Sequence, residues 1–194
     1  MGGGYKIRDQ FKPHHLTLTL VDWVDLFTHK RYLDIIISSL KYCQDHKGLL
    51  IYAFVIMPTH LHLMVSSKSG QLSATIRDMK RHTSKTLVEM VKTEPASRRE
   101  WILEHFSRAA AQHKRNNKYQ VWMHHNHPIE LFSNKFIWQR LNYIHNNPVK
   151  KGLVEYPEDY LYSSARNYAD KEGILDVILV VREMKTVRNK TLWS

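Results

Sequence analysis

Residues 51–65 read Ile-Tyr-Ala-Phe-Val-Ile-Met-Pro-Thr-His-Leu-His-Leu-Met-Val, and no other stretch constrains the fold as much. A nearly unbroken apolar run rich in Val, Ile and aromatics reads as a buried strand. Pro58-Thr59 breaks the run as a tight turn, and residues 61–65 resume it as a second strand. His60 and His62 stand two apart on that second strand. Side chains two apart share a face, so two imidazoles project together from an apolar sheet. Burying two partly unpaired imidazoles is costly, and a shared metal ion would remove much of the cost. The plain alternative is a pair of ordinary core or edge histidines, in a chain with 13 His among 194 residues.

The length suits a single domain, 1–194, able to bury a real core. One cysteine, Cys43, excludes an intramolecular disulfide and a Cys-based zinc site, and fits a reducing cytoplasm. No apolar run approaches the ~20 residues of a membrane span, and the opening Met-Gly-Gly-Gly is not a signal peptide. The net charge of +11 points to a polyanionic partner. Nucleic acid suits it better than a membrane, because no basic amphipathic anchor stands out.

In chain order, residues 15–21 alternate as a strand. A helix is expected over about 29–46, capped by Thr28, with Leu33, Ile36, Ile37, Leu40 and Cys43 as its apolar stripe and Gly48 as its stop. After the histidine strands comes a long helix, about 72–91, with Leu72, Ile76, Met79, Leu87 and Met90 inward. Arg77, Lys80, Arg81 and Lys85 form a basic ridge on another face of it. That ridge is a solvated surface or a phosphate-contacting rail, and the overall charge favours the rail. A further helix over about 98–112 leads into an exposed polar run, where Lys114 and Arg115 are candidate nucleic-acid contacts. Residues 119–122 read as a short strand and 128–132 as extended. A helix over about 135–146 is capped by Ser133-Asn134. Residues 160–168 read as a helix or turn, and 174–181 as a final strand. The strand-helix-strand-strand-helix order over 15–91 predicts an α+β ferredoxin-like sandwich, an antiparallel sheet with helices on one face and the other face open.

A second constellation lies at 142–149, Asn-Tyr-Ile-His-Asn-Asn-Pro-Val. Tyr143 and Asn147 are four apart, and Gln139 is one turn earlier, so a continuous helix aligns them. Such a face offers a phenol for attack and amide oxygens for a metal. Alternatively, Tyr143 is a core aromatic and Asn147 an N-cap before a proline at the first helical position. The residue before proline is also pushed away from α geometry. Among other candidates, His124, His125 and His127 form a metal cluster or a DNA-contacting loop. Trp23, Trp122, Tyr119 and Trp138 are either base-stacking platforms or core.

His60-Leu61-His62 preceded by Tyr-Ala-Phe-Val-Ile-Met-Pro, together with Tyr143-Ile-His-Asn-Asn147-Pro-Val-Lys-Lys-Gly-Leu-Val, resembles the single-tyrosine HUH transposases. The likeness is to their REP-associated tyrosine transposase branch, a group of insertion-sequence-like enzymes. It extends to Pro157-Glu-Asp-Tyr160 and Tyr162-Ser-Ser-Ala165 and spans about residues 5–168, leaving 169–194 as a C-terminal extension. The resemblance implies Tyr143 as nucleophile, carried on a C-terminal helix, with His60, His62 and Asn147 as ligands of a divalent Mg or Mn ion. It implies a bacterial cytoplasmic enzyme, monomer or homodimer, that cuts and rejoins single-stranded DNA near a hairpin through a 5′-phosphotyrosine. On ligand softness, two imidazoles and an amide favour manganese or a later transition metal. Two other functions are open: an inactive single-stranded nucleic-acid binder on the same sandwich, and a metal-dependent phosphodiesterase that uses water.

Overall fold

Three long strands, β1 (His14–Thr19), β2 (Leu49–Met57) and β3 (His60–Ser67), form an antiparallel sheet, and a two-residue β4 (Ile129–Glu130) completes the order β2-β3-β1-β4. The structure is a computed structural model and describes residues 7–112 and 118–181. The β2–β3 turn is Pro58-Thr59, as the sequence requires.

Register decides what each face carries. Leu16 pairs with Leu63 and Leu18 with Leu61, while Thr17 pairs with His62 and Thr19 with His60. On the far side of β3, Phe54 and Ile56 join the leucine face, and Val55 and Met57 join the histidine face. The β2 register shifts between Ile51 and Ala53. Ile51 and Phe54 are three apart and would point to opposite faces of a regular strand. The extra residue lets both enter the same core.

That core lies between the leucine face and α1 (Lys30–Lys47) with α2 (Leu72–Val91). Ile36 and Leu40 of α1 and Ile76 and Leu87 of α2 are fully buried there. Gly48 ends α1 at a φ of 65°, a left-handed position that favours glycine. Thr28 does not cap the helix. The N-cap is His29, and the Thr28 hydroxyl donates instead to Asp25 O at 2.9 Å. The third helix, α3 (Ala96–Ala111), buries Ile102 and Phe106 against the same core.

The second face is not open. Leu141 and Ile144 of α4 (Asn134–His145) pack with Leu131 on Ala53, Val55, Met57 and Met64. A strand apolar on both sides needs cover on both, and β2 is such a strand. The chain then forms one short turn of helix, α5 (Asn147–Lys150).

Two expected strands do not form. Residues 119–122 make only an isolated bridge, Leu20 to Trp122. Residues 174–181 make one backbone bond to β2, from Ile178 N to Ile51 O at 2.8 Å. The reason is occupancy: Ile56 N donates to Tyr162 O and Ser164 N to Phe54 O, so residues 162–164 already hold that edge. Residues 160–168 are turns, as expected, entering a single 3-10 turn at Asn167–Ala169. Among the described residues, no helix is long and apolar enough to cross a membrane.

Candidate active site

His60 and His62 share the histidine face of β3, their ring centroids 4.9 Å apart and nearly perpendicular at 81°. The Nδ1 of His60 lies 2.9 Å from Thr59 Oγ1. The Nδ1 of His62 lies 3.0 Å from Thr17 Oγ1, directly across the β1–β3 ladder, and 3.2 Å from Nε2 of His15. Nε2 of His62 is buried and has no hydrogen-bond partner among the described residues. An orphaned buried imidazole nitrogen is uncommon and needs a partner such as a water or an ion; His15 Nδ1 is orphaned as well.

Burial, helped by His15, His60 and Arg140, lowers the pKa of His62 to about 3. Burial and Arg140 lower that of His15 to about 4. Burial and Lys151 lower that of His60 as well. All three rings are therefore neutral at neutral pH, the state in which imidazole nitrogen can hold a metal. Sequence reasoning missed His15. Its signal was the alternation of β1, which sets His15 and Thr17 on the face opposite Leu16 and Leu18.

Ser133 starts α4, its Oγ accepting from Phe136 N at 3.3 Å. The docking of Leu141 and Ile144 then delivers Tyr143 to the histidines. Its ring stands edge-on to His62 at 5.2 Å and to His15 at 5.9 Å, and it is 38% exposed. Lys150 Nζ lies 5.7 Å from the same ring. Asn147 is buried, and its Nδ2 donates to Tyr143 O at 3.2 Å. Asn147 does not cap α5; that position falls to Asn146. Gln139 is exposed, one turn before Tyr143 on α4.

The end of α4 is bolted to β2. His145 Nε2 lies 2.9 Å from Ser164 Oγ, which accepts from Phe54 N at 2.9 Å. Tyr160 OH donates to Ile56 O and Tyr168 OH to Tyr52 O. The 157–168 stretch is thus a scaffold along β2 that ties down the end of the helix bearing Tyr143.

Among the described residues, no three His, Cys, Asp or Glu side chains converge as a metal-holding group. His15 spends its Nε2 on His62, so a cation here would rest on two imidazoles and oxygen donors. His124, His125 and His127 form no such group either. Residues 121–131 run along the free side of β1, where Met123 N donates to Thr19 O and Thr17 N to Asn126 O.

The basic ridge divides. Arg77, Arg81 and Lys85 are exposed, and Arg77 Nε donates to Asp78 at 2.9 Å. They line a groove of about 1000 Å³ between α2 and residues 118–124. Lys80 turns inward, donating to Met123 O at 2.8 Å and Asn126 Oδ1 at 2.6 Å. It pins the loop beside β1 instead of facing solvent. Lys114 and Arg115 lie outside the described residues. Burial lowers the Lys80 pKa from 10.5 to about 8. The unfolded chain therefore binds its proton more tightly. Below about pH 8 both states are charged and folding bears the full cost of burying the ammonium. The cost is relieved as pH rises from there toward the unfolded value. Wild type should gain about 2 kcal/mol over Lys80→Met between roughly pH 7 and pH 9.5, read from denaturant midpoints; an unchanged difference would refute the assignment.

Of the aromatic candidates, Trp122 is core, with Nε1 donating to buried Thr83 Oγ1 at 3.0 Å. Tyr119 and Trp138 are partly buried against the two cores. Trp23 alone of the four is exposed, at 58%.

The architecture is that of an α+β ferredoxin-like sandwich whose C-terminal helix sets a tyrosine over a histidine-bearing strand. No protein-family model and no curated protein matches the chain. Among solved structures it is similar to a REP-associated tyrosine transposase bound to a REP hairpin, with a TM-score of 0.58 and 18% identity, covering 94% of this chain and 96% of that one. At that identity the likeness is one of fold.

Proposed function

We propose that this protein is a metal-dependent single-stranded DNA endonuclease and strand transferase acting beside a DNA hairpin. Tyr143 is the nucleophile, and His60, His62 and Asn147 hold a Mg or Mn ion. The observation that carries the reading is the meeting of Tyr143, from α4, with His62, from β3, at 5.2 Å beside an unpartnered imidazole nitrogen. The hairpin comes from the structural neighbour and the polyanion from the net charge of +11.

The residues supply the chemistry as follows. A His62 that offers Nε2 carries its proton on Nδ1 and donates it toward Thr17 Oγ1 and His15 Nε2. Such outer partners fix the tautomer and orientation of a ligand imidazole. The bound ion would offset negative charge developing on the scissile phosphate. Tyr143 Oη attacks phosphorus, the new bond is a 5′-phosphotyrosine, and the 3′-hydroxyl leaves. Because the ester bond is kept, a 3′-hydroxyl can reverse the step and join strands without ATP. Lys150, beside the tyrosine ring, adds positive charge where the phosphate must come.

The test is to incubate the protein with a hairpin-bearing single strand and Mn, then separate covalent adducts under denaturing conditions. An adduct at Tyr143 that forms with the ion and vanishes with chelator or in His62→Ala is expected. Cleavage without an adduct would make the protein a hydrolase, and hairpin binding without cleavage would make it a binder.

A further inference from the structure

We propose that Trp23 is a stacking platform for the unpaired nucleobase that flanks the scissile phosphate. The proposal rests on the single-stranded DNA reading above.

Asp22 and Trp23 are consecutive non-glycine residues in the left-handed region, with φ of 51° and 55°. Two such residues in a row are strained, and strain persists only where surrounding structure over-determines it. Here it does. Val21 and Val24 on either side are buried at 4% and 1%. Val21 N donates to Val121 O, Trp23 N to Leu20 O and Val24 N to Val21 O, which close a tight turn. The Asp22 carboxylate is gripped from α3, accepting from Arg108 Nη2 at 2.8 Å and lying 2.8 Å from His105 Nδ1.

The product of this arrangement is an indole pushed out of the core. Isolated exposed apolar side chains are ordinary, but a strained and clamped turn that ends in one is not. The indole stands edge-on to His60, ring centroids 5.7 Å apart at 78°. A phosphate held at His60 therefore has its neighbouring base within reach of the indole. A flat π-face beside a backbone-binding site is how single strands are gripped without reading sequence.

The experiment measures affinity for a DNA hairpin with an unpaired flank, and for the same strand with flanking bases removed one at a time as abasic sites. Trp23→Ala should weaken binding to the intact strand by about tenfold or more. That loss should disappear at one abasic position, the stacked one, and Trp23→Phe should retain most of the affinity. If Trp23→Ala binds like wild type, or loses equally on intact and abasic strands, Trp23 is no platform while the DNA reading stands. If wild type binds none of these strands, both readings fall.

Discussion

Tyr143→Phe will reduce DNA cleavage by at least about 10⁴-fold and leave hairpin affinity within about twofold. Losing the proposed covalent nucleophile removes the route itself, and comparable deletions cost this much or more. The substitution is narrow. The ring keeps its edge contacts with His62 and His15, and α4 keeps its docking through Leu141 and Ile144. Tyr143 is 38% exposed, so its hydroxyl is no buried strut and stability should hardly change. The comparison needs a single-turnover cleavage rate and an equilibrium titration on one oligonucleotide. A Phe variant that still cuts would remove Tyr143 from the chemistry and leave only the hydrolytic reading.

The second large effect is on stability. Glu94, 5% exposed at the α2–α3 turn, accepts from the fully buried Tyr32 hydroxyl and pairs with Arg31 of α1. Burial alone would raise its pKa, but Tyr32, Arg31 and Arg98 outweigh that and hold it below the usual 4.5. Glu94→Ala strands a buried phenol and an arginine. Removing one member of a buried charged network costs about 3–5 kcal/mol, and Arg31, partly solvated, puts this case near the lower end. The denaturant midpoint should drop accordingly with the slope unchanged. The sign with pH follows from the lowered pKa. The contribution is present above the ordinary carboxylate value and fades as pH falls through the folded one. Wild type and variant should therefore converge in acid. A Glu94→Ala protein of undiminished stability at neutral pH would show the network to be incidental.

Much of this arrangement was legible in residues. Periodicity alone placed α2 at 72–91 and set His60 and His62 on one face, because strand and helix periods are strict. The sequence set Tyr143 and Asn147 four apart on one continuous helix, but the helix breaks at Asn146 between α4 and α5, and the Asn147 Nδ2 to Tyr143 O hydrogen bond spans that break. What it could not convey was partnership between elements. His15 is one histidine in an alternating strand until the β1–β3 register sets it against His62. The apolar pattern of β2 does not say that α4 covers its second face. The apolar 174–181 segment fits a strand, but residues 162–164 occupy the edge it would need. Lys80 has the spacing of a surface ridge, yet its side chain bends back to the 123–126 loop.

The occupied rims of the sheet have a consequence for assembly. Residues 121–131 run along one border and 162–164 along the other, and each takes main-chain groups that an open border would offer. Unpaired borders are where foreign strands add and where chains fuse into fibrils. Along Phe54–Ile56 of β2 and along β1, this sheet's own connecting segments stand in the way of such growth. Over the stretches those segments occupy, an extended peptide can enter only by first peeling a segment away.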